Sequence, residues 1–425
     1  MKSKISSILC VLVFGIALAV GPAEGAFECV DGLQSSGSLY LICQPTDVPR
    51  NGSLVIWAHG FQDAGTEVEI PEDQLDLGDG VSIPDIVTRL GFDFATNSYS
   101  KTGLAIVQGA EDLLDLVQVY IGVVEEQPDH VYLVGASEGG IITALLVERN
   151  PEIFDAGLAL CGPVGDFPFQ INYFGNARVT FEYFFPGLLP RFECNGDQEQ
   201  VADWPGYFET NIAPTIFDPA NRSKLDQWVR VARLPFDANE YLETVAESAR
   251  DVLRYAMVNL NDAVEVLGGF PFDNRRTWYW GSSNDLRLNF RVTRCRADSE
   301  AVVEMKTNYN TSGLLQQPVI TMHTLRDQQI PYVHEPLYNL KTISRGSFLT
   351  EHINIPINRY GHCNFTLEEA LLSFGLMLFY AGDLDLLAGV GAILQGPQID
   401  AFGQMAQEYR LPYSVEGDRL EMLRR

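Results

Sequence analysis

A serine flanked by glycines lies within residues 135–139, where the sequence fits the pattern Gly-x-Ser-x-Gly. The pattern stands between an apolar run at 131–134 and a helical run that begins near Ile141. A sharp turn from strand to helix strains the backbone of Ser137, and the flanking glycines leave the room that this turn needs. The turn also places the backbone N–H of Glu138 at a helix N-terminus, where peptide dipoles favour a developing negative charge. We therefore predict a nucleophilic serine, the alternative being an ordinary glycine-rich turn.

A serine hydroxyl at its ordinary pKa is a weak nucleophile, so the chemistry requires a base and a carboxylate that orients it. Of the six histidines, His362 follows the last predicted strand on a glycine-turned loop, and we expect it to be the base. His323 closes a strand predicted to end at Met322, which is too early to reach the serine. The remaining histidines are expected to be structural or to lie beyond the acid, namely His59, His130, His334 and His352.

Asp327 is the predicted acid because it is the only carboxylate in the turn that follows residues 318–322. In the run Asp-Gln-Gln-Ile-Pro, Ile330 and Pro331 would anchor the loop while Asp327 accepts the Nδ1–H of the imidazole. The alternative is a turn or capping aspartate. The chain order Ser137, Asp327, His362 is then nucleophile, acid and base.

A second donor for a developing oxyanion is predicted in the turn His59-Gly60-Phe61, which ends an earlier apolar strand. The backbone N–H of Phe61 would face that of Glu138 across the reacting carbonyl oxygen. Two such donors in a dry site contribute several kcal/mol to the transition state.

Apolar strand-like runs alternate with helical runs on both sides of these motifs. Strands are predicted at 54–58, 92–99, 131–134, 156–161, 318–322 and 352–355, with helices at 104–124 and 141–149. Continuously apolar strands separated by helices indicate a mostly parallel sheet that is covered on both faces. Between residues 164 and 315 the apolar strand-like runs are absent, and the recognisable elements are helical stretches such as 238–263. Because this interval is too long for an ordinary connection, we predict an inserted, largely helical cap.

Together, the Ser137 pattern, the His59-Gly60 turn, the Asp327 loop and the Gly361-His362 loop resemble the α/β-hydrolase superfamily. Residues 98–103 are similar to secreted bacterial members with a prolyl-oligopeptidase-like or esterase-like core. The resemblance covers about 53–163 and 316–380. It implies an eight-stranded sheet, a Ser-Asp-His triad, hydrolysis through an acyl-enzyme and no cofactor, and it leaves the substrate open.

The predicted division is a signal peptide at 1–25, a catalytic core at 26–163 and 316–425, and a cap at 164–315. Two lysines, an apolar run and small residues before Ala26 are typical of an export signal, and the run is too short for a stable membrane anchor. Of the seven cysteines, Cys10 lies in this segment. For the other six, we favour Cys29–Cys43, which are local in sequence, and Cys194–Cys295, which would link the middle segment to itself, whereas Cys161 is interpreted as a buried thiol.

The chain has 29 basic against 56 acidic residues and a net charge of −27, which predicts repulsion of nucleic acid and anionic membrane. No metal-ligand spacing is found. The leading hypothesis is an exported serine esterase that acts on a small-molecule ester, and the alternative is an aminopeptidase or prolyl-peptidase-like enzyme acting on short peptides. A binding scaffold without catalysis is less favoured, and the sequence does not predict the oligomeric state.

Aromatic residues crowd the start of the predicted cap at 167–185. They predict either the core of the cap or an apolar pocket for an acyl group. In a peptidase, an acidic residue such as Glu182 or Glu193 would hold the substrate amine.

Overall fold

The protein was analysed as a computed structural model, which describes residues 27–78, 80–196, 199, 201–348 and 350–383. The predicted signal peptide at 1–25 and the end of the predicted core beyond residue 383 lie outside the described residues. No helix in the described ranges is long and apolar enough to cross a membrane.

Eight strands form one sheet in the spatial order β1-β2-β4-β3-β5-β6-β7-β8. The strands are β1 (Phe27–Leu33), β2 (Leu39–Pro45), β3 (Leu54–Ala58), β4 (Asp93–Asn97), β5 (Val131–Ala136), β6 (Ala156–Leu160), β7 (Val319–Arg326) and β8 (His352–Tyr360). The hairpin β1-β2 and the pair β2-β4 are antiparallel, and all other pairs are parallel. This strand order is that of the α/β-hydrolase fold. The predicted fold class is therefore confirmed, although the hairpin itself was not predicted.

Helices cover both faces of the sheet and fill the interval between β6 and β7. The helices next to the sheet strands in sequence are α1 (Ile83–Arg89), α2 (Ile106–Val124), α3 (Glu138–Arg149), α12 (His334–Arg345) and α13 (Leu367–Ala381). Those between β6 and β7 are α4 (Phe167–Phe184), α5 (Trp204–Tyr207), α6 (Ala213–Phe217), α7 (Arg222–Ala232), α8 (Tyr241–Val258), α9 (Leu260–Val266), α10 (Asp285–Arg291) and α11 (Ser299–Asn308). Short 3-10 turns lie at Glu72–Gln74 and Pro219–Asn221, and a π turn lies at Phe208–Ile212.

Residues 161–318, which we call the inserted segment, bring a hydrophobic core of their own. Its buried centre includes Phe181, Trp228, Val245 and Leu253 from α4, α7 and α8. The sheet is packed separately, with one cluster of apolar residues on each face. The division of the chain into a catalytic core and a cap domain remains our proposal.

Several element boundaries differ from the predicted ones, among them three that bear on the site or the inserted segment. Strand β7 continues past Met322 to Arg326, because its parallel pairing with β8 extends to Tyr360 across an irregularity in the register. Helix α3 begins directly after Ser137 rather than near Ile141. The predicted helix 238–263 is divided at Asn259 into α8 and α9.

Three disulfides join the six cysteines of the described residues. Cys29–Cys43 links the paired strands β1 and β2, and Cys194–Cys295 closes a loop inside the inserted segment, as the spacing predicted. The interpretation of Cys161 as a buried thiol is wrong, because it bonds to Cys363 across a sequence separation of 202. The end of β6 and the loop after β8 meet only in the folded sheet, so this pairing has no local signal.

Candidate active site

The strand-to-helix turn that carries Ser137 has the strained geometry expected of a nucleophile elbow. Ser137 has φ 58° and ψ −117°, a region that side chains rarely adopt, and it stands immediately before α3. The turn is possible because glycines flank it. A Cβ atom on Gly139 would lie 1.9 Å from the carbonyl oxygen of Ala58, and one on Gly135 would lie 2.4 Å from the carbonyl oxygen of Gly139.

The proposed base approaches Ser137 from the loop after β8. The Nε2 atom of His362 lies 2.9 Å from Ser137 Oγ, and its Nδ1 atom lies 2.8 Å from Asp327 Oδ2. Thr324 in β7 supports this loop by donating a hydrogen bond of 2.6 Å to the carbonyl oxygen of Gly361. The structure thus brings together the three residues that the sequence predicted as a triad.

Asp327 follows β7 directly and is 1% exposed. Its Oδ1 atom accepts the backbone N–H groups of Gln329 and Ile330 at 2.9 and 2.8 Å, so the predicted anchoring loop is the one that forms. Burial alone would raise the pKa of this carboxyl. The neighbouring imidazoles of His362 and His323 outweigh burial and hold the pKa of Asp327 below its usual range, so the group stays ionised.

His323 is a site residue that sequence reasoning missed. The prediction that it lies too early to take part rested on a strand ending at Met322, whereas β7 carries His323 to the back of the Asp327 carboxylate. Its Nε2 atom lies 3.3 Å from Asp327 Oδ2 and 2.9 Å from the carbonyl oxygen of Ile330. Its Nδ1 atom lies 3.0 Å from Glu335 Oε1.

The buried carboxylates around His323 determine its protonation state. Desolvation lowers the pKa of a buried imidazole, but hydrogen bonds to Asp327 and Glu335 reverse this and raise the pKa of His323 to about 10. Glu335 also accepts hydrogen bonds from Thr321 and Asn354 at 2.6 and 2.7 Å. A positively charged histidine therefore separates two buried carboxylates. A strand-borne histidine followed four residues later by the acid is the sequence signal that could have indicated it.

The other four histidines have structural environments, as expected. His59 stacks on Tyr99 at 3.8 Å, and burial lowers its pKa to about 4. His334 accepts the N–H of Gly165, and burial lowers its pKa to about 3. His352 lies between backbone and side-chain oxygens in β8, and His130 lies beside acidic groups at the start of β5.

The proposed oxyanion donors are the backbone N–H groups of Glu138 and Phe61. Glu138 is the first residue of α3, and its N–H therefore has no acceptor within the helix. Gly60 packs against the serine, since a Cβ atom built on it would lie 3.3 Å from Ser137 Cβ. Phe61 follows and lines the cavities next to Ser137. The role of the backbone N–H groups of Phe61 and Glu138 as donors remains a proposal.

The side chain of Glu138 is a second feature that the sequence did not predict. It is 6% exposed, lines a cavity beside Ser137, and accepts the N–H of Ala105 at 2.9 Å. Burial raises the pKa of this carboxyl to about 8, with Lys101 opposing the shift from nearby. Burial therefore disfavours ionisation of the residue that follows the proposed nucleophile.

Three cavities meet at Ser137 and His362. The first, called the α4 cavity, has a volume of about 110 Å³ and runs from Ser137 between α4, α8 and α9. The second, called the α13 cavity, has a volume of about 480 Å³ and lies between Ser137, α1 and α13. The third, called the polar cleft, borders His362 and is lined by α8 side chains that include Glu247, Asp251 and Arg254.

The aromatic run at 167–185 divides between a cavity wall and a core, and the binding of an acyl group in that cavity remains a proposal. Phe167 and Phe174 line the α4 cavity, and Phe174 stacks on Tyr255 from α8 at 4.5 Å. Phe181 and Phe184 instead belong to the core of the inserted segment. An apolar wall therefore begins at the end of the helix nearest to Ser137.

The acidic residues proposed to hold a peptide amine lie elsewhere. Glu182 accepts the N–H of Gly187, and Glu193 pairs with Arg191 at 3.3 Å. Neither residue lines a cavity that contains Ser137 or His362. The acidic side chains that do border the site are Glu138, Glu247 and Asp251.

One cluster in the described part of the chain has the composition of a metal site, namely Cys161, His362 and Cys363. Both sulfur atoms are used in the Cys161–Cys363 disulfide, so neither is a thiolate ligand. The cluster does not fit a metal ion.

No protein-family model and no curated protein matches this sequence. Among solved structures, the chain is similar to an acylaminoacyl peptidase in complex with Z-Gly-Gly-Phe-chloromethyl ketone, with a TM-score of 0.42 and 8% identity. That match covers 84% of this chain but only 41% of the peptidase, so the chain spans less than half of its length.

Two further solved structures match over most of both chains. One is 2-hydroxy-6-oxo-6-phenylhexa-2,4-dienoate hydrolase from Rhodococcus sp. strain RHA1, with a TM-score of 0.39 and 15% identity. That match covers 83% of this chain and 99% of the hydrolase. The other is brefeldin A esterase, a bacterial homologue of human hormone sensitive lipase, with a TM-score of 0.38 and 12% identity. That match covers 93% of this chain and 81% of the esterase. The strand order and the elbow define an α/β-hydrolase fold, which confirms the resemblance predicted from the motifs.

Proposed function

We propose that the protein is a serine hydrolase that cleaves carboxylic esters through an acyl-enzyme. The observation that carries this proposal is the unbroken hydrogen-bonded chain from Ser137 through His362 to Asp327, with 2.9 and 2.8 Å between the heavy atoms. A nucleophile, a base and an orienting carboxylate in this order can activate a hydroxyl group that is otherwise inert.

In the proposed acylation step, His362 Nε2 takes the proton of Ser137 Oγ as the oxygen attacks the ester carbonyl. The tetrahedral oxyanion is stabilised by the N–H groups of Phe61 and Glu138. When the intermediate collapses, the imidazolium returns the proton to the departing alkoxide, and the acyl group stays on Ser137. Water then attacks the acyl-enzyme with His362 again acting as base, which releases the acid and restores the serine.

Asp327 has two tasks in this scheme. It orients His362 by accepting the Nδ1–H, which leaves Nε2 directed at the serine. It also stabilises the imidazolium that forms during each step. The N–H groups of Gln329 and Ile330 fix the second carboxylate oxygen, so the acid is held in place before substrate binds.

The walls of the α4 cavity favour an apolar acyl group. Beside Ser137 it presents Phe61, Phe167, Phe174 and Tyr255. The leaving alcohol would then depart on the side of His362, where the α13 cavity and the polar cleft meet. Cleavage of short peptides is the second candidate, favoured by the position of Glu247 and Asp251 in the polar cleft beside His362.

Covalent labelling and paired substrates test the proposal. We expect a fluorophosphonate to label the wild-type protein and not Ser137→Ala, whereas Ser344→Ala, which changes an exposed serine on α12, should label normally. Hydrolysis of p-nitrophenyl acyl esters should fall by roughly a thousandfold or more in Ser137→Ala. Equal ester activity in both variants would reject Ser137 as nucleophile. Faster turnover of aminoacyl anilides than of esters would favour the peptidase.

A further inference from the structure

One face of the inserted segment exposes several large apolar side chains. Trp278 and Trp280 are 59% and 58% exposed, Leu286 is 62% exposed and Phe290 is 86% exposed. Buried Tyr279 stands between the two exposed tryptophans in the sequence. We call these four exposed residues the aromatic patch.

Local contacts join the two halves of the aromatic patch. Asn289 of α10 accepts the N–H of Tyr279 at 2.9 Å and donates to its carbonyl oxygen at 2.6 Å. Leu286 and Phe290 are one turn apart on α10, and Leu286 lies one turn before Asn289. The segment that carries the two tryptophans is therefore held against α10, which carries Leu286 and Phe290.

The charge around the aromatic patch is opposite to that of the whole chain. Residues 275–296 contain one acidic residue, Asp285, although the chain carries a net charge of −27. The same stretch contains six arginines, namely Arg275, Arg276, Arg287, Arg291, Arg294 and Arg296. Arg294 donates to oxygens of Asn274, Thr277 and Asn289 and is not counted in the exposed rim. Arg275 is partly neutralised by Asp273 at 2.7 Å. Arg233, directly after α7, adds a further positive charge, since its guanidinium lies 5.3 Å from the centre of the Trp280 ring.

We propose that the aromatic patch and its arginine rim dock the protein onto an anionic lipid surface. Tryptophan side chains favour the boundary between lipid headgroups and acyl chains, and arginine binds lipid phosphates. Each basic residue near an anionic bilayer contributes about 1 kcal/mol, and the exposed apolar rings add to this when they are buried. The acidic remainder of the chain would be repelled, so docking is restricted to this face.

The exposure of Phe290 is suited to a lipid surface. Its ring is 86% exposed. A projecting ring can enter the headgroup layer without a matching pocket. The net charge predicted repulsion of anionic membranes by the chain as a whole, and the proposal concerns one face where the local charge is positive.

Sedimentation of the full chain with lipid vesicles tests the proposal, independently of any hydrolase activity. We expect binding to vesicles that contain phosphatidylglycerol as a third of the lipid, weak binding to phosphatidylcholine alone, and release at high salt. The variant Arg287→Gln/Arg291→Gln should bind roughly thirtyfold more weakly, at about 1 kcal/mol per charge. Trp278→Ser/Trp280→Ser/Phe290→Ser should lose binding and the blue shift of tryptophan fluorescence.

Matched changes elsewhere provide the controls. Leu340→Ser removes an equally exposed apolar residue on α12, and Arg345→Gln removes an exposed charge there, so both should bind vesicles as the wild type does. Equal loss in the control and patch variants, or no binding of the wild type to anionic vesicles, would overturn the proposal. Binding to soluble polyglutamate but not to vesicles would also overturn it, in favour of an acidic protein partner. Circular dichroism melts show whether each variant is folded.

Discussion

His323 Nε2 lies 3.3 Å from Asp327 Oδ2, the same oxygen atom that lies 2.8 Å from His362 Nδ1. The proposed acid therefore has a charged histidine on each side once the base is protonated. Since His323 does not touch Ser137 in this arrangement, it acts through Asp327 as a positioning residue. A continuous series of polar contacts thus runs from Ser137 through His362, Asp327 and His323 to Glu335, which is fully buried.

Replacing His323 with Gln should lower kcat for ester hydrolysis by about tenfold or more, because a hydrogen bond to a charged group contributes roughly 1.5–3 kcal/mol. Without the imidazolium, the pKa of Asp327 rises and the carboxylate holds His362 less firmly. We expect KM to change little and the acid limb of the pH–rate profile to move upward. An unchanged profile in a folded His323→Gln protein would show that His323 does not position the acid.

The same histidine should make stability depend on pH. Its folded pKa of about 10 exceeds the reference value of 6.5, so its stabilising effect is complete below about pH 6.5 and is lost as the pH rises towards 10. Thermal melts between these values should show a falling Tm for the wild type. The double variant His323→Gln/Glu335→Gln removes both charges, and its Tm should depend less on pH. Parallel curves for the two proteins would contradict the assignment of a charged His323.

The Cys161–Cys363 disulfide should support the position of His362, since Cys363 is the next residue in the chain. Replacing both cysteines with Ala should lower kcat and Tm together. In the chain-entropy model, this long loop is worth about 5 kcal/mol and the loop of Cys29–Cys43 about 3 kcal/mol. Cys29→Ala/Cys43→Ala is the matched control and should lower Tm while leaving kcat near the wild-type value. Loss of kcat in both double variants would indicate general destabilisation instead.

The Glu138 carboxyl should also have a measurable effect on stability. Its folded pKa of about 8 lies above the reference value of 4.5. The contribution of the neutral carboxyl to the free energy of unfolding is therefore fully present below about pH 4.5 and is lost as the pH rises through 8. Glu138→Gln keeps the acceptor for Ala105 and cannot ionise, so its Tm should exceed that of the wild type by a few degrees at pH 9 and equal it at pH 5. Glu111→Gln, on the exposed face of α2, should show no such pH-dependent difference. A lower Tm for Glu138→Gln at pH 9 would disprove the assignment.

The α4 cavity should determine acyl preference. Phe174→Ala removes a ring that stacks on Tyr255 in the cavity wall, which lengthens the space beside Ser137. We expect kcat/KM to rise for longer p-nitrophenyl esters relative to the acetate, by roughly tenfold or less, since each buried methylene contributes about 0.8 kcal/mol. Phe217→Ala, at an exposed position of α6, should leave the preference unchanged. A uniform loss for all chain lengths would place the acyl group elsewhere.

Much of the fold and of the proposed site could be predicted from the sequence because the signals are local. Apolar runs at 54–58 and 131–134 predicted buried strands, and glycines at fixed spacing predicted the turn around Ser137. His362 and Asp327 were found because each stands where a predicted strand ends. Chain order and residue type were sufficient for these assignments, whereas the hairpin β1-β2 was not predicted although residues 39–43 form an apolar run.

The features that could not be predicted from the sequence are contacts between distant parts of the chain. The extension of β7 to Arg326 follows from its pairing with β8, and this pairing is what carries His323 to Asp327. The bond between Cys161 and Cys363 depends on the meeting of the β6 end with the loop after β8. Local sequence specifies strands, turns and candidate groups through periodicity and backbone geometry. The neighbours of a buried charge depend on long-range packing, and only the assembled sheet and inserted segment determined them.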